Sequence, residues 1–206
     1  MTLFFVTIMP KLSLSFYQQP DVLDISRQLL GKYLFTCFDN ALTGGMIIET
    51  EAYRAPEDRA SHAYKMRRTK RNEIMYHVGG VCYVYLCYGI YSLLNVVTNQ
   101  ENIPHAILIR ALEPIIGIEI MRVRRHKQKK DCNLTKGPGT LTQALGINLS
   151  HNGLSLMGPQ IWIEDRGVLV REEDIMTLPR VGIDYAGEDA LLPWRFLLKT
   201  HSKKTL

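Results

Sequence analysis

Two aromatic, strand-like runs, Val81 to Leu86 and Tyr91 to Thr98, are separated by only Cys87 to Ile90. Gly89 within that gap can take the positive φ of a tight reversal, so the segment predicts a β-hairpin. Other strand candidates are Lys32 to Phe38 and Met46 to Thr50, joined by the turn-rich Asp39 to Gly45, and then Ala106 to Leu112. Helical signals are few. Asp21 to Leu30 has Asp21 as a start and Gly31 as a stop, Ile115 to Arg125 follows Pro114, and Leu141 to Leu145 follows Gly137-Pro138-Gly139. Residues 54–80 read as loop with one short helix near 70–76. Gln160 to Val170 and Arg180 to Lys199 read as strands and loops. Strands dominate and do not alternate with helices, which predicts an α+β fold rather than a doubly wound α/β sheet.

The 206 residues suit one domain, 1–206, with residues 1–20 as an N-terminal extension and 200–206 as a C-terminal tail. A chain of this length buries about 70% of its unfolded surface without needing disulfides. Its four cysteines, Cys37, Cys82, Cys87 and Cys132, form no C-x-x-C pair and read as reduced thiols. No apolar run approaches the ~20 residues of a membrane span. The apolar start, Leu3 to Met9, lacks the basic region and cleavage site of a signal peptide. These features predict an intracellular protein, cytoplasmic in a bacterium and nuclear in a eukaryote. A net charge of +5 permits a polyanionic partner without requiring one.

Alternation on a strand puts Glu49, Glu51 and Tyr53 on one face. A carboxylate beside an aromatic ring can hold a water and take its proton; it can equally pair with an arginine for structure alone. Arg110 ends the apolar run Ile107-Leu108-Ile109, a costly position unless it meets an acid or a ligand. Glu51 is its natural partner. Asn95, within Leu93 to Val97, either satisfies backbone groups or reads a substrate. Tyr83 and Tyr91 fit core packing, whereas Tyr88 at a hairpin tip has little core to enter. His62 by itself reads as a surface or hydrogen-bonding histidine. The basic cluster Lys65, Arg67, Arg68, Lys70 and Arg71 lies between the acids and the hairpin and suits phosphate contact. The second cluster, Arg122, Arg124, Arg125, Lys127, Lys129 and Lys130, reads as a solvated helix end. Acids near aromatics in a basic chain point to an enzyme acting on a base of a nucleic acid.

Gly45 to Tyr53 with Pro56-Glu57-Asp58 and His62 resembles the alkyladenine (3-methyladenine) DNA glycosylase family. The resemblance continues through Tyr83 to Tyr91, Asn95, Leu108 to Pro114, Gly137-Pro138, Leu141 to Leu145, Arg180 to Ile183 and Ala186-Gly187-Glu188. It covers roughly Leu23 to Lys199. It implies a mixed domain with a mostly antiparallel curved sheet, short helices and a protruding hairpin. It also implies a monomer that binds the minor groove of double-stranded DNA and needs neither metal nor cofactor. Tyr88 would wedge into the stack. Tyr53, His62 and Tyr85 would hold a flipped purine of the 3-methyladenine, 7-methylguanine or hypoxanthine type, and Asn95 would crowd the amine of normal guanine. Glu51 with Arg110 would set a water against the sugar C1′. No lysine matches a covalent nucleophile, so the implied reaction is monofunctional hydrolysis to an abasic site.

Arg67, Arg71, Lys136 and Thr140 are candidates for backbone contact. Thr140 departs from the resemblance, because a lysine is expected there. Two rival readings remain. One is a metal-dependent nuclease with Glu49, Glu51, Asp58 and His62 as ligands; the other is a catalytically silent nucleic-acid-binding module.

Overall fold

A computed structural model of the chain describes residues 10–128 and 133–199. The apolar start, Lys129, Lys130, Cys132 and the 200–206 tail lie outside the described residues.

The strands are β1 (Tyr33–Phe38), β2 (Ala41–Arg54), β3 (Cys82–Cys87), β4 (Tyr91–Thr98), β5 (His105–Ile116), β6 (Ile161–Glu164), β7 (Ile175–Leu178) and β8 (Arg195–Leu198). They form one antiparallel sheet in the order β3-β4-β5-β2-β1-β6, with β8 pairing β2 and β7. The α-helices among the described residues are short: α1 (Leu14–Tyr17), α2 (Val22–Gln28), α3 (Ile118–Arg124) and α4 (Pro138–Leu145). The fold is α+β, as the sequence predicts.

β2 organises the sheet, and the sequence underestimates it. The reversal after β1 takes only Asp39 and Asn40, with φ of 50° and 63°, the left-handed pair that closes a two-residue hairpin. β2 therefore begins at Ala41, not at Met46. Gly44-Gly45 reads as turn but is strand. A Cβ on Gly45 would lie 2.4 Å from the Glu113 carbonyl oxygen, so this glycine serves close approach of β2 and β5. The second half of β2 is flanked by β8 through Glu49↔Leu197 and Glu51↔Arg195. β7 is a strand the sequence does not announce.

Pro114 does not start a helix. It pairs with Gly45 at a register shift, where a strand tolerates a missing N–H. β5 runs on to Ile116 and α3 starts only after Gly117. Residues 10–20 are also no mere extension. The Leu12 N–H donates to the Ile163 carbonyl at 2.8 Å, and Tyr17 is buried with Ile25, Leu29, Ile47 and Phe196 in the main core. Asp21 caps α2 by accepting from the Leu23 and Asp24 amides, as expected of an aspartate before a helix.

The hairpin forms between β3 and β4, with Cys87 paired to Tyr91. Its tip carries Tyr88 at φ 52° and Gly89 at φ 70°. Tyr88 is 87% exposed and Ile90 is also exposed, while Tyr83 at the base of the hairpin is 1% exposed. Tyr91 is not core: it is 42% exposed and lies across Gly139. Tyr83→Ala should therefore cost about 3–5 kcal/mol in urea denaturation, as deletion of a buried ring does. Tyr88→Ala should stay within about 0.5 kcal/mol of the parent.

Candidate active site

The β2–β5 ladder breaks register on both sides of Glu49, between Ile47 and Glu49 and between Glu49 and Thr50. The pairing skips Ile48 on β2 and Arg110 on β5. Such bulges re-aim side chains, and here Arg110 is aimed at two acids. Its Nε donates to Glu49 Oε1 at 2.9 Å, and its Nη1 lies 3.1 Å from Glu51 Oε1. Arg195 on β8 adds a 3.0 Å contact to Glu49. Glu51 is thus paired with Arg110, as the sequence suggested, but Glu49 shares the guanidinium.

Glu51 is fully buried. Its Oε2 accepts from the Tyr53 hydroxyl at 2.8 Å. Its Oε1 accepts from the Val181 backbone N–H at 2.8 Å. Burial pushes the Glu51 carboxyl pKa above its ordinary value, against the pull of Arg110, the Val181 amide and the Tyr53 hydroxyl. The same burial, with Glu51 alongside, holds the Tyr53 phenol far above its usual range.

A cavity of about 400 Å³ opens beside this group, walled by Tyr53, His62, Tyr85, Asn95, Arg110 and Val181 among others. Glu51 itself is not on the cavity surface; it stands directly behind Tyr53, Arg110 and Val181. His62 meets Tyr85 edge-on at 4.6 Å between centroids, and its Nδ1 is 2.8 Å from the Tyr83 hydroxyl. Burial, reinforced by the Arg71 charge, lowers the His62 pKa to about 4, so the ring is neutral at physiological pH. Asn95 is buried, and its Nδ2 donates to the Tyr83 carbonyl at 3.2 Å. It satisfies a backbone group, the first of the two alternatives drawn from the sequence, and it also lines the cavity. Tyr88 also lines the mouth.

The basic candidates are spread around this opening. Arg71 lies over the Tyr85 ring at 5.3 Å and donates to the Leu86 carbonyl at 3.3 Å. Arg67 and Arg71 both line a second cleft of about 370 Å³ that shares His62 with the first. Lys136 is exposed and bridges to Ala111. Thr140 Oγ1 lies 3.0 Å from the Lys136 carbonyl and 2.8 Å from the Gly137 carbonyl. Its hydroxyl proton is thus directed at its own helix, leaving no free donor.

Sequence reading missed three contributors. The Val181 amide carries no side-chain signal. Alternation places Glu49 on the Glu51 face but does not pair it with Arg110. Asp58 and Arg180 form a buried bidentate pair with contacts of 2.5 and 2.8 Å, a pairing of residues 122 positions apart that the sequence does not announce. Among the described residues no group of three or more His, Cys, Asp or Glu could hold a metal ion, and no helix is long and apolar enough to cross a membrane.

The sequence profile described as Methylpurine-DNA glycosylase (MPG) matches residues 15–202. Proteins provisionally named 3-methyladenine DNA glycosylase are similar over nearly their whole length. One from Chlamydia felis is 49% identical over 193 residues, covering 93% of this chain and 98% of the relative. One from Chlamydia abortus is 50% identical over 185 residues, 89% of this chain and 96% of the relative. One from Bacillus cereus is 44% identical over 200 residues, 91% of this chain and 95% of the relative. These matches define the class of the protein as a DNA glycosylase, an enzyme of DNA repair. The chain belongs to the methylpurine-DNA glycosylase family.

The buried His62 makes stability depend on acid. Its pKa is about 4 when folded against 6.5 ordinarily, so between those values the unfolded chain binds the extra proton. The contribution of neutral His62 is whole above pH 6.5 and is lost as pH falls toward 4, by about 3 kcal/mol. Urea denaturation of the parent should show this loss, and His62→Gln should show a smaller one over the same window.

Proposed function

We propose that the protein excises alkylated and deaminated purines of the 3-methyladenine, 7-methylguanine and hypoxanthine type from double-stranded DNA. It rotates the nucleotide out of the helix and hydrolyses the N-glycosidic bond to leave an abasic site. The observation that carries this reading is the buried Glu51, tied to Arg110 directly behind an aromatic cavity whose mouth holds an exposed hairpin tyrosine.

A cavity of about 400 Å³ suits one flat base. Rotating a base costs a few kcal/mol, and a ring entering the vacated stack offsets part of it; Tyr88 is that ring. Tyr53, His62 and Tyr85 hold the extruded base. Their electron-rich faces favour a purine made cationic by alkylation, a contact worth up to about 2 kcal/mol when desolvated, and a neutral His62 adds no opposing charge. Asn95 stands against the exocyclic amine of undamaged guanine, so that the normal base fits badly. Arg67 and Arg71 contact phosphates along the adjoining cleft, and Lys136 does so from the α4 side. Thr140, with its proton turned inward, adds at most an acceptor.

Glu51 accepts a proton from a water as the water oxygen bonds to C1′ and the C1′–N bond breaks toward the base. An alkylated, cationic base takes the electron pair and leaves neutral; hypoxanthine needs a proton of its own. The raised carboxyl pKa improves Glu51 as a proton acceptor, and its charge stabilises the oxocarbenium character of the sugar. Tyr53, Arg110 and Val181, which line the cavity, hold the carboxylate in place at its wall. No lysine takes part, so the enzyme is monofunctional.

Ligands needed by a nuclease are already committed: Asp58 to Arg180, Glu51 to Arg110, and His62 to Tyr83. Glu51→Gln should slow single-turnover release of 7-methylguanine or hypoxanthine from a duplex by roughly 10²–10⁴-fold. Binding to duplex with an abasic-site analogue should stay near the parent's; substantial residual excision sinks the assignment. Excision should also persist undiminished in excess EDTA. Loss on chelation, restored by Mg²⁺ or Zn²⁺, would favour the nuclease instead.

A further inference from the structure

We propose that the buried Asp58–Arg180 pair is a positioning device for the Glu51 carboxylate, an inference that rests on the reading of Glu51 as the water-activating group. The pair is sealed: both side chains are 0% exposed. Arg180 Nη1 donates to Asp58 Oδ2 at 2.5 Å and to the Ala52 carbonyl at 2.9 Å. Its Nη2 donates to Asp58 Oδ1 at 2.8 Å and to the Asp189 carbonyl at 3.2 Å. Asp58 in turn accepts from the Ala60 amide at 2.9 Å and the Arg54 amide at 3.3 Å.

Two consequences reach Glu51. Arg180 is the residue before Val181, so clamping its guanidinium onto the β2 backbone at Ala52 sets where the Val181 N–H points. That N–H meets Glu51 Oε1 at 2.8 Å. The guanidinium carbon also lies 4.8 Å from the Tyr53 ring centroid and 5.0 Å from that of Trp194. It is thus the back support of Tyr53, whose hydroxyl holds Glu51 Oε2 at 2.8 Å. Two of the three groups that fix the carboxylate depend on one ion pair on the side away from the cavity.

A fully buried pair is weak as a stability device, since apolar residues of similar size often stabilise as well or better. Its value here is geometric. The other charged or titratable groups facing Glu51 are Glu49 and Tyr53 on β2, Arg110 on β5, and Arg195 on β8 acting through Glu49. Of these only Arg195 also reaches the Val181 segment, its Nε donating to the Pro179 carbonyl at 2.9 Å; Arg180 is the clamp that also backs Tyr53.

The test compares Asp58→Asn, the apolar double variant Asp58→Leu/Arg180→Met, and Glu51→Gln. Single-turnover excision of 7-methylguanine from a duplex is followed against pH, per folded molecule and below each melting point. Loss of the Val181 and Tyr53 donors removes groups that favour the ionised carboxylate, so the acid limb of the rate profile should move to higher pH. Both Asp58 variants should show that shift, with rates down at least ten-fold at neutral pH and abasic-duplex binding unchanged. The double variant should melt closer to the parent than Asp58→Asn does, separating positioning from stability. If the double variant does not fold, the acid limb of Asp58→Asn decides alone. An unshifted acid limb and a parental rate in Asp58→Asn, or recovery of both in the double variant, overturns the proposal. If Glu51→Gln itself retains excision, the reading of Glu51 falls and the positioning role falls with it.

Discussion

Three carboxylates, those of Glu49, Glu51 and Asp58, leave water when the sheet closes, and each must be met by a cation. Moving an unpaired carboxylate into the interior costs several kcal/mol, and this constraint organises much of the architecture around β2. Arg110 on β5 answers Glu49 and Glu51, Arg195 on β8 completes Glu49, and Arg180 answers Asp58. The three arginines come from different parts of the chain, so the pairs also bind distant segments to one strand. Glu49 and Glu51, two residues apart on one strand, share a face, and the register shifts beside Glu49 leave Arg110 outside the regular pairing.

Such a cluster gives the cavity its character. Opposite charges are balanced behind the wall, so what faces the opening is mainly aromatic and neutral: Tyr53, Tyr85 and a histidine held in its uncharged form. The cations on that lining are Arg110, which is paired with Glu49 and Glu51, and Arg71. Arg71 lies over the outer ring of Tyr85, placing positive charge at the edge, where a phosphate rather than a base would pass.

Much of this was readable from the sequence, for identifiable reasons. The hairpin was legible because alternating aromatics flank a short gap with Gly89. The Glu51–Arg110 pair was legible because an arginine in an apolar strand demands an acid. Helix α2 was legible through Asp21. What stayed hidden depends on contacts between distant residues. Gly44-Gly45 looks like a turn until β5 is known to press against it. Pro114 looks like a helix start until a bulge removes the need for its N–H. The role of Val181 is carried by a backbone amide that any residue but proline would supply. Tyr91 alternates like a core residue, yet it pairs with Cys87 beside the hairpin turn, beyond the core. Thr140 was a visible substitution, but only the structure shows its proton turned toward its own helix.

The hairpin tip has a consequence for how such a protein meets its target. Tyr88 stands outward in a left-handed backbone conformation with Gly89 beside it, a shape tyrosine rarely chooses by itself. The entropy of ordering that shape is spent when the chain folds, not when it touches a polymer. A probe made ready in this way needs no disorder-to-order step at each site it visits. On the proposed reading of Tyr88 as the wedge, the time spent at an undamaged base pair is then set by how readily the duplex yields, and a lesion that weakens its own stacking selects itself.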